Sequence, residues 1–260
     1  MWKTARLQNR SQILAYLETD RLYTAYAIGD LEPGLFEDCA WAGAWQSGVQ
    51  QALVLHYRGL SPAALFLAGT TGGLRAILQD KLRPETVYLT CRPERVPLAR
   101  EFYDWPGPVP MWRMVLRPEA FRPVAANCAR LAATDAVRLA ALYDLGGGLA
   151  FSPAQIEQGV FCGIWEQGEL VSVGGTHLVS PTYSVAAVGN LFTRPDHRGR
   201  GHGTAATSAV VEELLRQGIR DVVLNVAQAN RGAVRIYERL GFQRYCAFFE
   251  GPASVLRAPP

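Results

Sequence analysis

A strand that runs directly into a glycine-studded loop and then into a helix leaves a chain few folds to choose from. Residues 190–203, N-L-F-T-R-P-D-H-R-G-R-G-H-G, have that form. Asn190 to Thr193 close an apolar run that begins near Val185, Pro195 ends the extended stretch, and Thr204 opens a helical pattern. Gly199, Gly201 and Gly203 let backbone N–H groups turn inward with no Cβ in the way. The first helical turn adds its own unpaired donors and the positive end of its dipole. The natural guest of such a loop is a phosphate or pyrophosphate. Plain surface turns also carry this pattern, so the flanks must decide between the two.

Those flanks belong to a chain of 260 residues, long enough for one large domain or for two small ones that each bury a core. A content of 49% hydrophobic and 19% charged residues is that of a compact globular protein and excludes a disordered one. The formal charge of +3, with no Lys/Arg run, leaves no binding stripe for nucleic acid. Cys39, Cys91, Cys128, Cys162 and Cys246 are odd in number, scattered and free of a C-x-x-C pair. That argues against a disulfide framework or a metal site, and for reduced thiols in a cytoplasmic compartment. No apolar run approaches the roughly 20 residues that span a bilayer. Lys3, Arg6, Arg10, Glu18 and Asp20 spread charges of both signs through the first 20 residues, so neither secretion nor membrane insertion is expected.

Periodicity divides the chain into alternating α and β segments. Residues 11–30 read as two short helices with Asp20 between them; Trp41 to Gln46 and Val49 to Tyr57 read as a hairpin around Ser47-Gly48. Ala63 to Ala68 continues the sheet, followed by a helix over 72–82, a strand over 86–91, a helix over 93–103 and a strand over 111–116. Arg117 to Pro123, with two prolines in seven residues, is the linker. It divides the chain into domains 1–123 and 124–260. The second half begins with a short strand over 129–132 and a helix from Thr134-Asp135 to about Leu145, stopped by Gly146 to Gly148. A loop and short helix over 151–159 is opened by Ser152-Pro153. A meander over 161–166, 170–179 and 183–193 leads into the loop, then a helix over 204–217, a strand over 221–226, a helix over 230–240 and a last strand over 245–249.

The halves share this order. V-Y-L-T-C, a helix and M-W-R-M-V-L in the first echo V-V-L-N-V, a helix and Y-C-A-F-F in the second. Internal duplication explains this, and so do two unrelated halves of similar periodicity. Where the second half has R-G-R-G-H-G, the first has only Gly69-Thr-Thr-Gly-Gly73 with no arginine, so an anion site there is expected to be lost.

Three features converge on residues 185–242. In the loop, Arg198 and Arg200 add charge-assisted contacts to the backbone donors. Asn225 ends a strand and Asn230 opens the next helix. Within that helix Ala233 and Tyr237 lie one turn apart on one face, the small side chain leaving room for a ligand beside the phenol. The pattern resembles the GNAT superfamily of acyl-CoA-dependent N-acyltransferases. Its motif R-x-x-G-x-G falls on Arg198, Gly201 and Gly203, and N-x-x-A-x-x-x-Y-x-x-x-G-F falls on Asn230, Ala233, Tyr237, Gly241 and Phe242. V-G-G-T-H at 173–177 and G-N-L-F-T-R-P at 189–195 are most similar to the glycine N-acyltransferase-like branch, which commonly carries an N-terminal GNAT-like half without a working coenzyme site.

The resemblance implies an α+β fold of two GNAT-like halves, each a mixed, mostly antiparallel sheet flanked by helices, with the first walling the acceptor cleft. It implies acetyl-CoA or another short acyl-CoA as co-substrate. Pantetheine would run along the backbone of Leu191, Phe192 and Thr193, the N–H of Leu191 would be the oxyanion donor, and the pyrophosphate would lie over Arg198, Gly199, Arg200, Gly201, His202, Gly203 and Thr204. Asn225, Asn230 and Ala233 complete the coenzyme set, and Tyr237 would protonate the leaving thiolate. The acceptor is then an amine of a small molecule or amino acid, attacking the thioester directly.

For the base that takes the amine's proton, His177 is the first choice because imidazole titrates near neutral pH. Glu157, Glu166 and a water chain to a distant carboxylate stay open, as does a packing role for His177. A non-catalytic acyl-CoA sensor remains the alternative to an enzyme. An aminoacyl-tRNA-using tandem GNAT transferase is disfavoured by the retained coenzyme loop and the missing basic stripe. Monomer and homodimer stay equally open.

Overall fold

Ser47 and Gly48 both adopt positive φ, 51° and 82°, and so let Cys39–Gln46 and Val49–Tyr57 turn back on each other as an antiparallel pair. The computed structural model to which they belong describes residues 1–125, 127–146 and 153–256. The first half of the chain runs β1 (Lys3–Leu7), α1 (Arg10–Leu17), α2 (Ala25–Gly29), β2 (Cys39–Gln46), β3 (Val49–Tyr57), β4 (Ala64–Gly69), α3 (Thr71–Asp80), β5 (Thr86–Cys91), α4 (Val96–Phe102), β6 (Tyr103–Asp104) and β7 (Val109–Leu116). The second runs β8 (Ala129–Arg130), α5 (Ala136–Asp144), α6 (Ala154–Gln158), β9 (Cys162–Glu166), β10 (Glu169–Ser180), β11 (Val185–Thr193), α7 (His202–Arg216), β12 (Asp221–Ala227), α8 (Arg231–Arg239) and β13 (Gln243–Val255). Apart from the two-residue β6, both halves follow one order: strand, two helices, three strands, helix, strand, helix, strand. The α+β expectation is met.

The chain packs as two compact units, Met1–Trp112 with Cys246–Pro260, and Arg113–Tyr245. These units do not coincide with the 123/124 division read from the sequence. β13 is longer than the strand expected over 245–249, and its far part pairs with β5, Phe249 opposite Cys91 and Ser254 opposite Thr86. Ala253 of β13 is buried in the core of the first unit. Arg113 to Leu116 of β7, whose neighbour in the sheet is β12, go with the second. Each unit is therefore completed by a strand from the other half of the sequence.

In the first unit the strands follow the order β1-β2-β3-β4-β5-β13, with β4 and β5 parallel. Its core gathers Leu65, Leu67, Leu74, Ile77, Val87 and Leu89. The order in the second is β8-β9-β10-β11-β12, with β11 and β12 parallel. Leu139, Leu142, Tyr143, Phe161, Val173 and Phe192 fill its core.

Local differences follow from backbone chemistry. Residues 1–10, where no period is legible, contain the edge strand β1. The helical stretch over 11–30 is interrupted by a 3₁₀ turn at Glu18–Asp20. α7 begins two residues before Thr204, because Gly201 takes the N-cap position in a left-handed conformation with φ 86°. α8 starts and stops as its residues dictate: the Asn230 side chain accepts from Ala233 N at 3.1 Å, and Gly241 ends the helix at φ 102°. Gly147, Gly148, Phe151 and Ser152, expected to stop α5 and open the next segment, lie outside the described residues.

Candidate active site

β11 lies between β10 and β12 and departs from both at the same place. Against β10, Val173 faces Phe192 and Gly175 faces Gly189, so Asn190 and Leu191 together oppose the single Gly174. This two-against-one count is a β-bulge, which re-aims the backbone. Toward β12, parallel pairing runs from Val185 and Asp221 to Val188 and Leu224 and stops there. β11 continues to Thr193 and β12 to Ala227 without pairing to each other, which leaves a slot between their backbones where an extended chain can add.

Beyond the slot the anion loop is tied down from outside. Arg194 pairs with Glu169 and, at 2.9 Å, with Asp196, whose other oxygen lies 2.9 Å from His197 Nδ1. Hydrogen bonds from Arg194 and then His197 hold the Asp196 carboxyl well below the usual carboxylate range. Gly199 and Gly201 have φ of 77° and 86°, with open space where a Cβ would stand. No side chain caps the N-terminus of α7, so its first N–H groups are available to an anion. Arg198 Nε donates to Thr193 O at 3.2 Å and its guanidinium lies 5.8 Å from the Phe192 ring.

A cleft of about 600 Å³ joins these parts, lined by Leu191 to Thr193, His197 to Gly199, Gly201 to Thr204, and Asn230, Ala233, Ile236, Tyr237 and Arg239. Nearly all of the coenzyme residues expected from sequence meet there. Tyr237 keeps 7% of its surface exposed, and burial pushes its phenol up to about 12, so it holds its proton at neutral pH. Asn230 uses its side-chain oxygen on the α8 cap, which leaves its amide nitrogen for a ligand.

Three expected residues lie outside the cleft lining. Arg200 turns aside, Nη2 donating to Asp196 O at 3.2 Å and Nη1 lying 3.5 Å from Glu166. Asn225 stands at the parting of β11 and β12 with its Oδ1 buried and lacking a hydrogen-bond partner. A buried acceptor left open costs stability unless a ligand meets it. His177 sits in a second bulge, on β10, and its ring covers Gly189: a Cβ built there would stand 2.2 Å from His177 Nε2. Desolvation lowers the His177 pKa below the ordinary imidazole value of 6.5, while the residue as a whole remains exposed, which limits the lowering.

Two placements carry no sequence signal. Glu166, kept open as a base from sequence, ends β9 with Oε1 3.0 Å from His202 Nε2 and Oε2 3.4 Å from His197 Nε2, so one carboxylate lies against both histidines of the loop. Tyr143 of α5 reaches the bulge from below and donates to the Asn190 carbonyl at 2.7 Å. Glu157 is exposed on α6, and burial pushes the Cys162 thiol up to about 11, which leaves it protonated.

The corresponding loop of the first unit is closed. Thr70 caps α3 by accepting from Gly73 N, Arg95 donates to Gly69 O at 2.6 Å and to Thr71 Oγ1 at 3.0 Å, and the Trp2 indole would lie 2.7 Å from a Cβ at Gly72. Its helix N-terminus is already capped and covered.

Residues 133–242 match the acetyltransferase (GNAT) family. An uncharacterized N-acetyltransferase of Methanocaldococcus jannaschii is 44% identical over 59 residues, 23% of this chain and 26% of that protein. A mycothiol acetyltransferase of Thermobispora bispora is 47% identical over 51 residues, 20% of this chain and 17% of the relative. The match thus spans about a quarter or less of the length of these relatives. A solved tandem GNAT protein from the clavulanic acid biosynthesis pathway resembles the chain in fold over 100% of both chains, with a TM-score of 0.57 at 13% identity.

Proposed function

We infer, from the match of residues 133–242 to the acetyltransferase (GNAT) family, that this protein moves an acetyl or other short acyl group from coenzyme A to an amine of a small molecule or amino acid. The observation that carries the reading is the conjunction, in one cleft, of the parted β11 backbone, the uncapped α7 N-terminus and the buried Tyr237 phenol. Acyl-CoA supplies an activated thioester carbonyl. The residues fit it: the left-handed glycines leave open space for a pyrophosphate, and the unpartnered Asn225 Oδ1 awaits a donor such as a pantetheine amide. Of the two units, the one with the closed Gly69–Gly73 loop is taken to bind no coenzyme.

In this mechanism Leu191, Phe192 and Thr193 present backbone groups to the pantetheine arm, and the Leu191 N–H faces the carbonyl oxygen where negative charge develops. His177 takes a proton from the acceptor amine as its nitrogen bonds to the carbonyl carbon. Tyr237 donates its phenolic O–H to the sulfur and offsets its charge as the C–S bond breaks, yielding the amide and free CoA. Asn230 steadies the phosphate arm with its amide nitrogen.

Acetyl-CoA at about 100 times its Kd should stabilise the fold by about 2.7 kcal/mol, read as a rise in Tm. No shift at saturation would end the coenzyme assignment. A shift without thiol release on a panel of amino acids and polyamines would favour a sensor instead. The depressed His177 pKa adds a pH test. The base is already neutral at pH 7, so once the titration of the free acceptor amine is divided out, the limb of kcat/KM that belongs to His177 should lie below pH 6.5, and His177→Gln should abolish it. A limb of unchanged position in the variant removes His177 from the mechanism.

A further inference from the structure

The bulge that exposes Leu191 is a strained piece of backbone held by two buried hydrogen bonds. Asn190 adopts φ 54°, the left-handed region that L-residues other than glycine enter at a cost and asparagine enters most readily. Such a conformation persists only where the surroundings over-determine it. Asn190 Nδ2 donates to Thr176 O on β10 at 3.1 Å, and Asn190 O accepts from Tyr143 Oη at 2.7 Å, both within the buried interior. The Tyr143 ring is 5% exposed and lies edge-on to Phe192, with centroids 6.3 Å apart, so the phenol has a fixed position.

The Asn190 carbonyl and the Leu191 N–H are opposite ends of one planar trans peptide group. A donor that fixes the direction of the carbonyl therefore fixes the direction of the N–H, pointing the other way. It also draws electron density toward the oxygen and makes the N–H a stronger donor, as in any hydrogen-bonded chain of peptides. Tyr143 itself is absent from the cleft lining, so it acts on the cleft only at second hand, through that peptide and through the Phe192 ring it touches.

We propose that Tyr143 is a positioning residue for acyl transfer: its phenol, gripping the Asn190 carbonyl from the core, orients and polarises the Leu191 N–H that acts as oxyanion donor. The proposal rests on the acyl-transfer reading above. Its bond ends on the peptide whose N–H belongs to Leu191, a residue of the cleft lining, which is what a positioning role requires.

Tyr143→Phe keeps the ring and removes the grip. Removing an oxyanion donor outright costs roughly 10²- to 10³-fold in kcat, and mis-aiming one costs less, so the variant should lose about tenfold to a hundredfold in kcat. The KM for acetyl-CoA should stay within about twofold, because the anion loop is untouched. Independently of turnover, NMR of the ligand-free protein should show the Leu191 amide proton moving upfield and exchanging faster, with the β12 amides unmoved. An unchanged kcat with an unmoved Leu191 amide would overturn the proposal, as would a rise in KM at constant kcat. Should Tyr143→Phe fail to fold, 3-fluorotyrosine at position 143 keeps the ring and strengthens the phenolic donor, so the Leu191 amide proton should move downfield, and an unmoved amide overturns the proposal. If wild-type protein turns over no amine, the acyl-transfer reading falls by that result alone, while the Leu191 amide still reports whether the phenol controls that peptide.

Discussion

Tyr237→Phe is expected to lower kcat by about 10²-fold or more while acetyl-CoA affinity stays within about twofold. General acid catalysis by a positioned side chain contributes typically 10²–10⁴-fold. The residue qualifies because burial pushes its phenol up to about 12, so it carries a proton at every working pH. A thiolate is a weaker base than this phenolate, so the phenol acts by hydrogen-bonding the sulfur and offsetting its charge as the C–S bond breaks. The ring also packs edge-on to Phe242 at 5.9 Å, and phenylalanine keeps that contact, so the loss should lie in kcat alone. Turnover within a factor of two of wild type, at equal thermal stabilisation by acetyl-CoA, would move the acid role elsewhere.

The second large effect concerns stability. Gly241→Ala should destabilise the protein by about 3 kcal/mol, read from the midpoint of urea unfolding at constant m. At φ 102° a Cβ would stand 2.0 Å from Ala120 O and 2.8 Å from Ala120 C. Both are backbone atoms, so no side-chain rotation relieves the clash. The 3₁₀ turn Pro118–Ala120 would have to move, and with it the bond from Arg122 N to Leu240 O at 3.0 Å. A left-handed alanine adds roughly 1–2 kcal/mol of its own. A loss below about 1 kcal/mol would mean that the linker yields freely, and that the glycine serves only to stop α8.

These two residues also mark how far sequence reading reaches. Tyr237 and Gly241 stand at fixed offsets from Asn230 along one helix, and a helix converts offsets into faces and ends by local geometry alone. The hairpin at Ser47-Gly48 and the strand Thr86–Cys91 were legible for the same reason. Glu166 was not. It lies 31 residues before His197 along the chain, and only the hairpin of β9 on β10, with β10 on β11, brings the carboxylate under the loop. Tyr143 is likewise 47 residues from the carbonyl it holds. β1 escaped because an edge strand of five residues, buried at only one, shows too little alternation to read.

The sequence by itself determined the strand, loop and helix of 190–203 and the cap and stop of α8, since each depends on neighbours within a few residues. Only the tertiary structure decided that β13 crosses to pair with β5, because strand partners are chosen by burial and register over the whole chain. It also decided which way the Asn190–Leu191 peptide faces. That choice belongs to the Tyr143 phenol, which donates to the Asn190 carbonyl, and to the Thr176 carbonyl, which accepts from the Asn190 side chain, and both come from other elements.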